Sequence, residues 1–456
     1  MKKVIIIGGG PAGYAAGLYA SHFDLEITLI ESDAVGGTCL NRGCIPAKHW
    51  LHVAEVNREI HESEEIGINV GNVTNDWAKT STARNGVIKK LTGGVTTLLE
   101  SKNVKIVEGW ASVVGKNTVL VKKPDGVEEK ITADYIMLAT GSVPRVLQGF
   151  DFDNDFILSS DEALDWIEPP KKVCIVGAGA IGCEFASLLI DLGSKTTVVE
   201  LEKEILPGMD KRIAGELRKQ LSKRGVEFKL ATSISSVDKN TKKVNFSDNS
   251  SEDFDCVLIS IGRSPLTDNI GLDEIGVNRN KGFIEVDIST FQTSVENIYA
   301  VGDIVLGTPQ LAHVGFAEGI AAIKHIATGE KSNINYDAIP YVVYSSPEVA
   351  EVGINAEHTK AKDINISNAQ HSFAGVGRAI IQNQNNGLVK VFYEEEGPIV
   401  GASICGPDAG EVIHELMYMV GWEVLPKEAA DFIHAHPTLS EAVGEALMSA
   451  SGKGLH

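Results

Sequence analysis

The sequence predicts an α/β fold: two Rossmann-like dinucleotide-binding domains joined to a distinct C-terminal α+β domain. Two copies of one pattern carry the first part. Residues 4–7 (VIII) run into GGGPAG at 8–13, an apolar helix-like stretch at 14–22, and ITLIE ending at Glu31. Residues 173–182 (VCIVGAGAIG) repeat the strand and the glycines, and VVE ends at Glu200. The first glycine and the acid are 23 positions apart in both copies, Gly8 to Glu31 and Gly177 to Glu200. The third observation is a change of texture near Pro340. Short alternating runs such as GLVKVFYE and helices near 408–420 and 439–451 replace the long buried runs, as in a separate α+β domain.

Strand, glycine turn, helix, strand, acid is the order in which a dinucleotide is held. Gly8 and Gly177 make the tight turn, Gly10 and Gly179 let backbone approach a pyrophosphate, and Gly13 and Gly182 let helix pack on strand. The helix N-terminus offers its positive dipole end to the phosphates. Glu31 and Glu200 are placed to accept from a ribose hydroxyl. An acid at 200 repels a 2′-phosphate, and Lys203 is the only cation near it.

Between and beyond these units the chain reads as follows. A long polar-faced helix is expected at about 76–102. YIMLATGS (135–142) is a buried strand turning at Gly141, and Pro169-Pro170 marks the approach to the second unit. A helix is expected over 205–225, then VLISIGRSP (257–265), a strand turning at Gly262. NIYAVGD (297–303) presents Asp303 at a strand tip, and residues 315–329 read as a helix carried over the sheet. The domains expected are 1–148, 149–268, a central stretch 269–338 that completes the first nucleotide domain, and 339–456 as the interface domain.

Composition excludes several classes. The chain has 456 residues, too many for one core, with 43% apolar and 22% charged residues. A formal charge of −20 argues against nucleic acid, whose phosphates need a basic footprint. The N-terminal apolar run stops at Gly8, far short of a signal-peptide core, and no apolar run of about 20 residues exists to span a membrane. Six cysteines are too few for a secreted disulfide framework. A cytoplasmic location with no membrane partner is the expectation.

Two of those cysteines stand out. Residues 36–48 (GGTCLNRGCIPAK) set Cys39 and Cys44 five positions apart, directly after the first nucleotide unit. The pair can be a disulfide, a metal clip or two unrelated core thiols. Residues five apart in a regular helix have Cα atoms roughly 8–9 Å apart, whereas a disulfide needs less than about 7 Å. A bridge would need a distorted first turn, which Gly43 and Pro46 permit. No second ligand pair at suitable spacing accompanies them, so no metal is expected. Cys174, Cys183, Cys256 and Cys405 lie in apolar or glycine-rich segments and read as buried structural thiols.

GGTCLNRGCIPAK after a first GxGxxG, then ATGS, a second GxGxxG, AVGD and HAHPTLSE (434–441) occur in this order along the chain. This set resembles the flavin-dependent pyridine nucleotide–disulfide oxidoreductases over essentially all 456 residues, and within them the dihydrolipoyl-oxidising branch. The resemblance implies FAD on the first unit, with Glu31 at the adenosine ribose and Asp303 on the ribityl side, and NAD on the second. It implies Cys44 as the thiolate nearest the flavin, in charge-transfer contact, and Cys39 as the outer thiol that exchanges with substrate. His436 is then the base and Glu441 its orienting partner. Thr438-x-x-Glu441 equally fits a helix capping box, and Pro437 holds residue 436 extended in either case. Lys48 is implied near flavin N5, paired with Glu184. His434 reads as structural.

What the resemblance implies for activity is NAD-dependent oxidation of a protein-bound dihydrolipoyl group by a homodimer in which His436 serves the partner's disulfide. The partner would be a lipoylated carrier of a 2-oxoacid dehydrogenase, glycine-cleavage or other lipoyl system, with no lipoyl domain ahead of residue 4. A second reading keeps the fold and reduces another small disulfide with NADH; a third is a non-catalytic flavin-binding redox subunit. The sequence departs from the family at Ala47, where serine is frequent, and at His49-Trp50, where small or aliphatic residues are common. The bulky pair is expected to alter flavin-side packing or the substrate channel.

Overall fold

The structure, a computed structural model, describes residues 1–358 and 365–455. It divides into two compact units, each assembled from separated stretches of chain. Residues 1–49, 76–145 and 262–334 form the first; residues 50–75, 146–261 and 335–456 form the second.

The first unit is built on a seven-stranded sheet in which Lys2–Ile7 (β1) is flanked in parallel by Leu25–Glu31 (β2) and Tyr135–Leu138. The run Val4–Ile7 is buried on both faces, which is why it is uniformly β-branched instead of alternating. Lys105–Glu108 pairs beyond β2, and Ile298–Ala300 pairs in parallel with Tyr135–Leu138, so the stretch after residue 262 returns to the first sheet. Helix α1 (Pro11–Tyr19) follows the glycine turn with Pro11 in its first turn, where no backbone donor is needed. The Ala312–Thr328 helix lies against α1 at close quarters: a Cβ on Gly319 would meet the Ala12 carbonyl oxygen at 2.2 Å. Two short helices carry the cysteines, α2 (Gly37–Arg42) and the start of α3 (Cys44–Glu62), and α4 (Trp77–Ser101) is capped by Asp76 accepting from the Lys79 N–H.

Among the described residues the second unit holds two five-stranded sheets and a small three-stranded one formed by Ile234–Asp238, Lys243–Phe246 and Ser251–Asp253. One five-stranded sheet is parallel, in the order Glu227–Lys229, Lys195–Val199, Lys172–Val176, Cys256–Ile259, Ile157–Leu158. Helix α5 (Ser160–Leu164) has a full capping box from Ser159 and Glu162, and α6 (Ala180–Asp191) follows the second glycine turn. Helix α7 (Lys211–Lys223) starts later than position 205, because Leu206 lies at positive φ and Asp210 caps it by accepting from Arg212 and Ile213. The other five-stranded sheet is antiparallel, in the order Tyr341–Val343, Glu348–Gly353, Ile399–Gly406, Leu388–Tyr393, Ser367–Ser372, and the Ala409–Gly421 and Glu441–Ala450 helices pack on it. The α/β class with two nucleotide-type units and a C-terminal α+β part is therefore the observed fold. No described helix is long and apolar enough to cross a membrane.

A buried polar cluster joins α7 to the antiparallel sheet. Glu351 Oε1 accepts from the Asp210 N–H at 2.7 Å and the Ser403 hydroxyl at 2.7 Å, and its Oε2 accepts from Asn355 at 3.0 Å. Lys390 donates to Asp210 Oδ2 at 2.7 Å. Among the described residues the ammonium thus pairs with Asp210 alone, and burial pushes the Glu351 carboxyl up to about 7.

Candidate active site

Each glycine turn is shaped by what a side chain would strike. Gly8 has φ +105°, and a Cβ there would lie 2.2 Å from the Ala139 carbonyl oxygen; a Cβ on Gly13 would lie 1.9 Å from the Gly8 oxygen. These are backbone-against-backbone contacts that only glycine allows. The second turn repeats them: Gly177 at φ +99° faces the Ser260 oxygen at 2.6 Å, and Gly182 faces the Gly177 oxygen at 2.0 Å. The acids act alike. Glu31 accepts from the Gly9 N–H at 2.6 Å and Glu200 from the Ala178 N–H at 2.7 Å, so each carboxylate braces the turn from the end of the neighbouring strand. Burial pushes the Glu31 carboxyl up, opposed by the Gly9 and Ser32 N–H groups.

The middle glycines are left open. A Cβ on Gly179 would meet nothing within 4 Å, and one on Gly10 would meet only Gly37 Cα at 3.8 Å. No side chain caps α1 or α6, whose N-terminal donors start at these positions. Open backbone plus uncapped helix N-termini is the donor set a pyrophosphate requires, so both turns fit a dinucleotide.

The first turn carries one more thing. The Gly36 N–H donates to the Gly9 oxygen at 2.8 Å, and a Cβ on Gly37 would lie 2.6 Å from Gly10 Cα. Helix α2 is thereby stitched to the nucleotide turn at its first residue. Gly43 then breaks the helix at φ −140°, ψ −112°, folded against the Thr38 carbonyl, and Cys44 begins α3. The cysteines therefore flank a break between two helices, a larger departure than one distorted turn. Their side chains are hydrogen-bonded to each other; that bond, burial and the neighbouring Cys44 push the half-buried Cys39 thiol up, while Lys48 pulls it down. Cys44 is exposed. Tyr14, on α1, packs edge-on against Phe316, and burial chiefly pushes its phenol up, with the charges of Cys39 and Cys44 adding to the rise.

Asp303 stands on a short 3₁₀ turn (Gly302–Ile304) beyond the Ile298–Ala300 strand. It accepts from the Ser142 hydroxyl at 2.5 Å, and Arg263 donates to the same hydroxyl at 2.7 Å and to the Ser142 carbonyl at 2.6 Å. Gly141 and Gly262, at φ +72° and +104°, make the two turns that bring Ser142 and Arg263 side by side. Sequence reasoning did not single out Ser142, Arg263 or Tyr14. Arg263 follows Gly262 in a strand-to-glycine turn, which is a usable signal; Tyr14 sits on an apolar helix with nothing local to mark it.

In the second unit Glu184 is buried on α6 and accepts from the Tyr344 N–H at 3.1 Å. Trp50 is buried there too: its indole N–H donates to the Leu164 carbonyl at 3.2 Å, and its ring lines a small apolar cavity with Trp166, Phe185 and Leu189. It fills core beside α5 and α6.

His436 and Glu441 meet. His436 Nδ1 is 2.8 Å from Glu441 Oε1, and Glu441 Oε2 accepts from the Thr438 N–H at 2.9 Å. The N-cap of the Glu441–Ala450 helix is Ser440 and not Thr438, so no capping box forms; one Glu441 oxygen braces the chain before that helix and the other meets the imidazole. The His436 contact and the Thr438 N–H hold the Glu441 carboxyl below the usual carboxylate range. The His436 side chain is 78% exposed, so Nε2 is available to a substrate. Cys174, Cys183, Cys256 and Cys405 are buried, with their thiols pushed up by burial.

Known proteins share this arrangement. The pyridine nucleotide-disulphide oxidoreductase family matches residues 2–319, and the dimerisation domain of that family matches residues 339–447. The dihydrolipoyl dehydrogenase of Geobacillus stearothermophilus is 40% identical over 461 residues, spanning 100% of this chain and 97% of that protein. The mitochondrial dihydrolipoyl dehydrogenase 1 of Arabidopsis thaliana is 37% identical over 465 residues, 100% and 91% of the two. The crystal structure of LpdA from Mycobacterium tuberculosis is 25% identical with a TM-score of 0.91, over 98% of this chain and 99% of that one. Doubled nucleotide turns, a thiol pair fixed to the first of them and matches of this length have one explanation: the chain belongs to the pyridine nucleotide-disulphide oxidoreductases.

Proposed function

We propose that this chain oxidises dihydrolipoyl groups with NAD, using FAD and the Cys39–Cys44 pair. The observation that carries the reading is the stitching of α2 to the first glycine turn, which seats two thiols against a nucleotide site. Full-length identity of 37–40% to proteins named dihydrolipoyl dehydrogenase supports it. FAD fits the first turn, with Gly8, Gly10, Gly13, Glu31, Gly141 and Asp303 to hold it, and NAD fits the second, with Gly177, Gly179, Gly182, Glu200 and Gly262.

The chain's own residues do the following. With Cys39 and Cys44 joined as a disulfide, a substrate thiolate attacks the Cys39 sulfur, the S–S bond breaks and Cys44 leaves as thiolate. The second substrate thiolate attacks the substrate sulfur now bonded to Cys39; a cyclic substrate disulfide forms and Cys39 leaves as thiolate. His436 Nε2 takes the substrate thiol proton, and Glu441 holds the ring and stabilises the imidazolium. Lys48 lowers the cost of the Cys39 thiolate. When bound, FAD and NAD would supply the acceptor for the electron pair of the dithiol.

The 339–447 match to a dimerisation domain supports a homodimer, and Phe432 and Ile433 beside His436, 74% and 98% exposed, are apolar groups that a second copy would cover. In that dimer His436 is contributed across the interface. Within this reading, 1–148 and 269–338 serve FAD, 149–268 serves NAD and 339–456 forms the interface; the substrate is carried on a lipoylated protein. The test is reduction of NAD by the purified flavoprotein with free dihydrolipoamide and with lipoylated carriers. Turnover only with another disulfide and NADH would move the substrate assignment to that disulfide.

A further inference from the structure

We propose that Glu318, buried on the Ala312–Thr328 helix, is a positioning residue that fixes the peptide before Asp303 and so holds that residue in place for FAD. The inference rests on the reading of Asp303 as part of the flavin site.

Glu318 stands in a core stripe. On its helix Ala322 and Ile326, four and eight positions on, are buried with it, and Glu318 itself is 0% exposed. Gly315 and Gly319 let that face approach α1. A Cβ on Gly315 would lie 3.4 Å from Ala12 Cβ, and one on Gly319 would lie 2.2 Å from the Ala12 oxygen. Packing of this kind is served by leucine or methionine. A carboxyl persists there only where donors meet it, because burying it unbonded is costly.

The Gly302 N–H is such a donor, 2.6 Å from Glu318 Oε2. Gly302 is buried at φ +78° and turns the chain from the Ile298–Ala300 strand into the 3₁₀ turn that carries Asp303. Glycine has more conformations open to it than any other residue, so the direction of the next residue depends on what anchors its peptides. Both sides are tied. Glu318 holds the Gly302 N–H, the Val305 N–H donates to the Gly302 oxygen at 2.9 Å, and Gln310 Nε2 donates to the Asp303 oxygen at 3.1 Å. Asp303 is thereby kept against the Ser142 hydroxyl, 2.5 Å away. The Ala312–Thr328 helix thus meets both parts of the flavin cradle, α1 through Gly319 and the Asp303 turn through Glu318. Removing the carboxyl orphans a buried N–H and frees the peptide that sets the direction of Asp303.

The experiment uses the purified holoenzyme and reads the rate of flavin release, as the rise of free-flavin fluorescence at fixed temperature. Glu318→Leu keeps the volume and removes the acceptor, and it is expected to release flavin about tenfold faster. Glu318→Gln keeps an acceptor and should stay within about threefold of the wild type. Equal losses from the two variants, or wild-type release from Glu318→Leu, overturn the proposal. Asp303→Ala completes a double-mutant cycle: once residue 303 is alanine, Glu318→Leu should add less than about twofold. Full additivity overturns the proposal, because Glu318 then supports the core without acting through Asp303. Should Glu318→Leu fail to fold, Glu318→Met is carried through the same cycle and decides in the same way. Wild-type release from Asp303→Ala would instead fault the placement of Asp303 in the flavin site, and the proposal falls with it; additivity on top of a real Asp303 effect faults the role of Glu318 alone.

Discussion

The two glycine turns are nearly the same object locally and different objects in use. Gly13 and Gly182 approach the preceding turn's oxygen to 1.9 and 2.0 Å as a Cβ would see it, and Glu31 and Glu200 brace the next N–H at 2.6 and 2.7 Å. The difference lies in what comes back to each turn. In the first, Gly36 and Gly37 return to Gly9 and Gly10 and bring a thiol-bearing helix with them. In the second, the Leu206 N–H returns to the Ala178 oxygen at 2.8 Å, and the segment brings no redox group. A nucleotide cradle is thus a repeated part, and its chemistry is set by the segment stitched onto it.

Substitutions can break that comparison. The largest effect is expected from Cys44→Ser: dihydrolipoamide turnover should fall by more than about 10³-fold while FAD stays bound, read from flavin absorbance. Survival of turnover would remove the thiols from the mechanism. His436→Gln should cost about 10²–10⁴-fold in kcat, the usual range for a general base, with flavin content unchanged.

Next come the paired glycines. Gly13→Ala and Gly182→Ala each force a methyl onto a backbone oxygen and should destabilise by about 1–3 kcal/mol. Gly13→Ala should lose FAD, whereas Gly182→Ala should keep FAD and raise KM for NAD. Loss of FAD from both would mean that the two turns do not serve separate cofactors. Glu200→Gln should raise KM for NAD about tenfold, through a lost charge-assisted hydrogen bond, and improve use of NADP; Glu31→Gln should leave the NAD to NADP preference alone.

The smallest effect concerns Glu351. Its carboxyl is raised from 4.5 to about 7, so its contribution to stability is fully present below the lower value and is lost as pH rises through the upper one. Thermal denaturation should show the wild type losing a few degrees more than Glu351→Gln between pH 5 and pH 8. Parallel curves would mean that the hydrogen bonds from the Asp210 N–H, Ser403 and Asn355 offset its burial.

Much of this was legible because it is written in local terms. A β-branched run, three glycines and an acid at fixed spacing specify a nucleotide turn whatever surrounds them, and all six glycines occupy the positions that spacing implies. The Cys39/Cys44 pair was visible as a spacing that a regular helix makes awkward. Trp50 is placed otherwise than its neighbours suggest: it follows the cysteine segment in sequence, yet α3 carries it into the second unit, where it packs beside Leu164 and Phe185. Adjacency along a helix says nothing about which core a face meets. Asp303 was visible at its strand tip, but Ser142 and Arg263, which hold it, come from chain 161 and 40 positions away.

The sequence by itself determined the repeated strand-turn-helix units, the thiol spacing and the His436–Glu441 pair, since each depends on residues within about one supersecondary element. Only the tertiary structure decided that α2 is pinned to the first turn and not the second, and that Ser142 stands between Asp303 and Arg263. Those facts depend on which backbones approach closely enough to exclude a Cβ, and close approach is a property of packed elements rather than of any single stretch of chain.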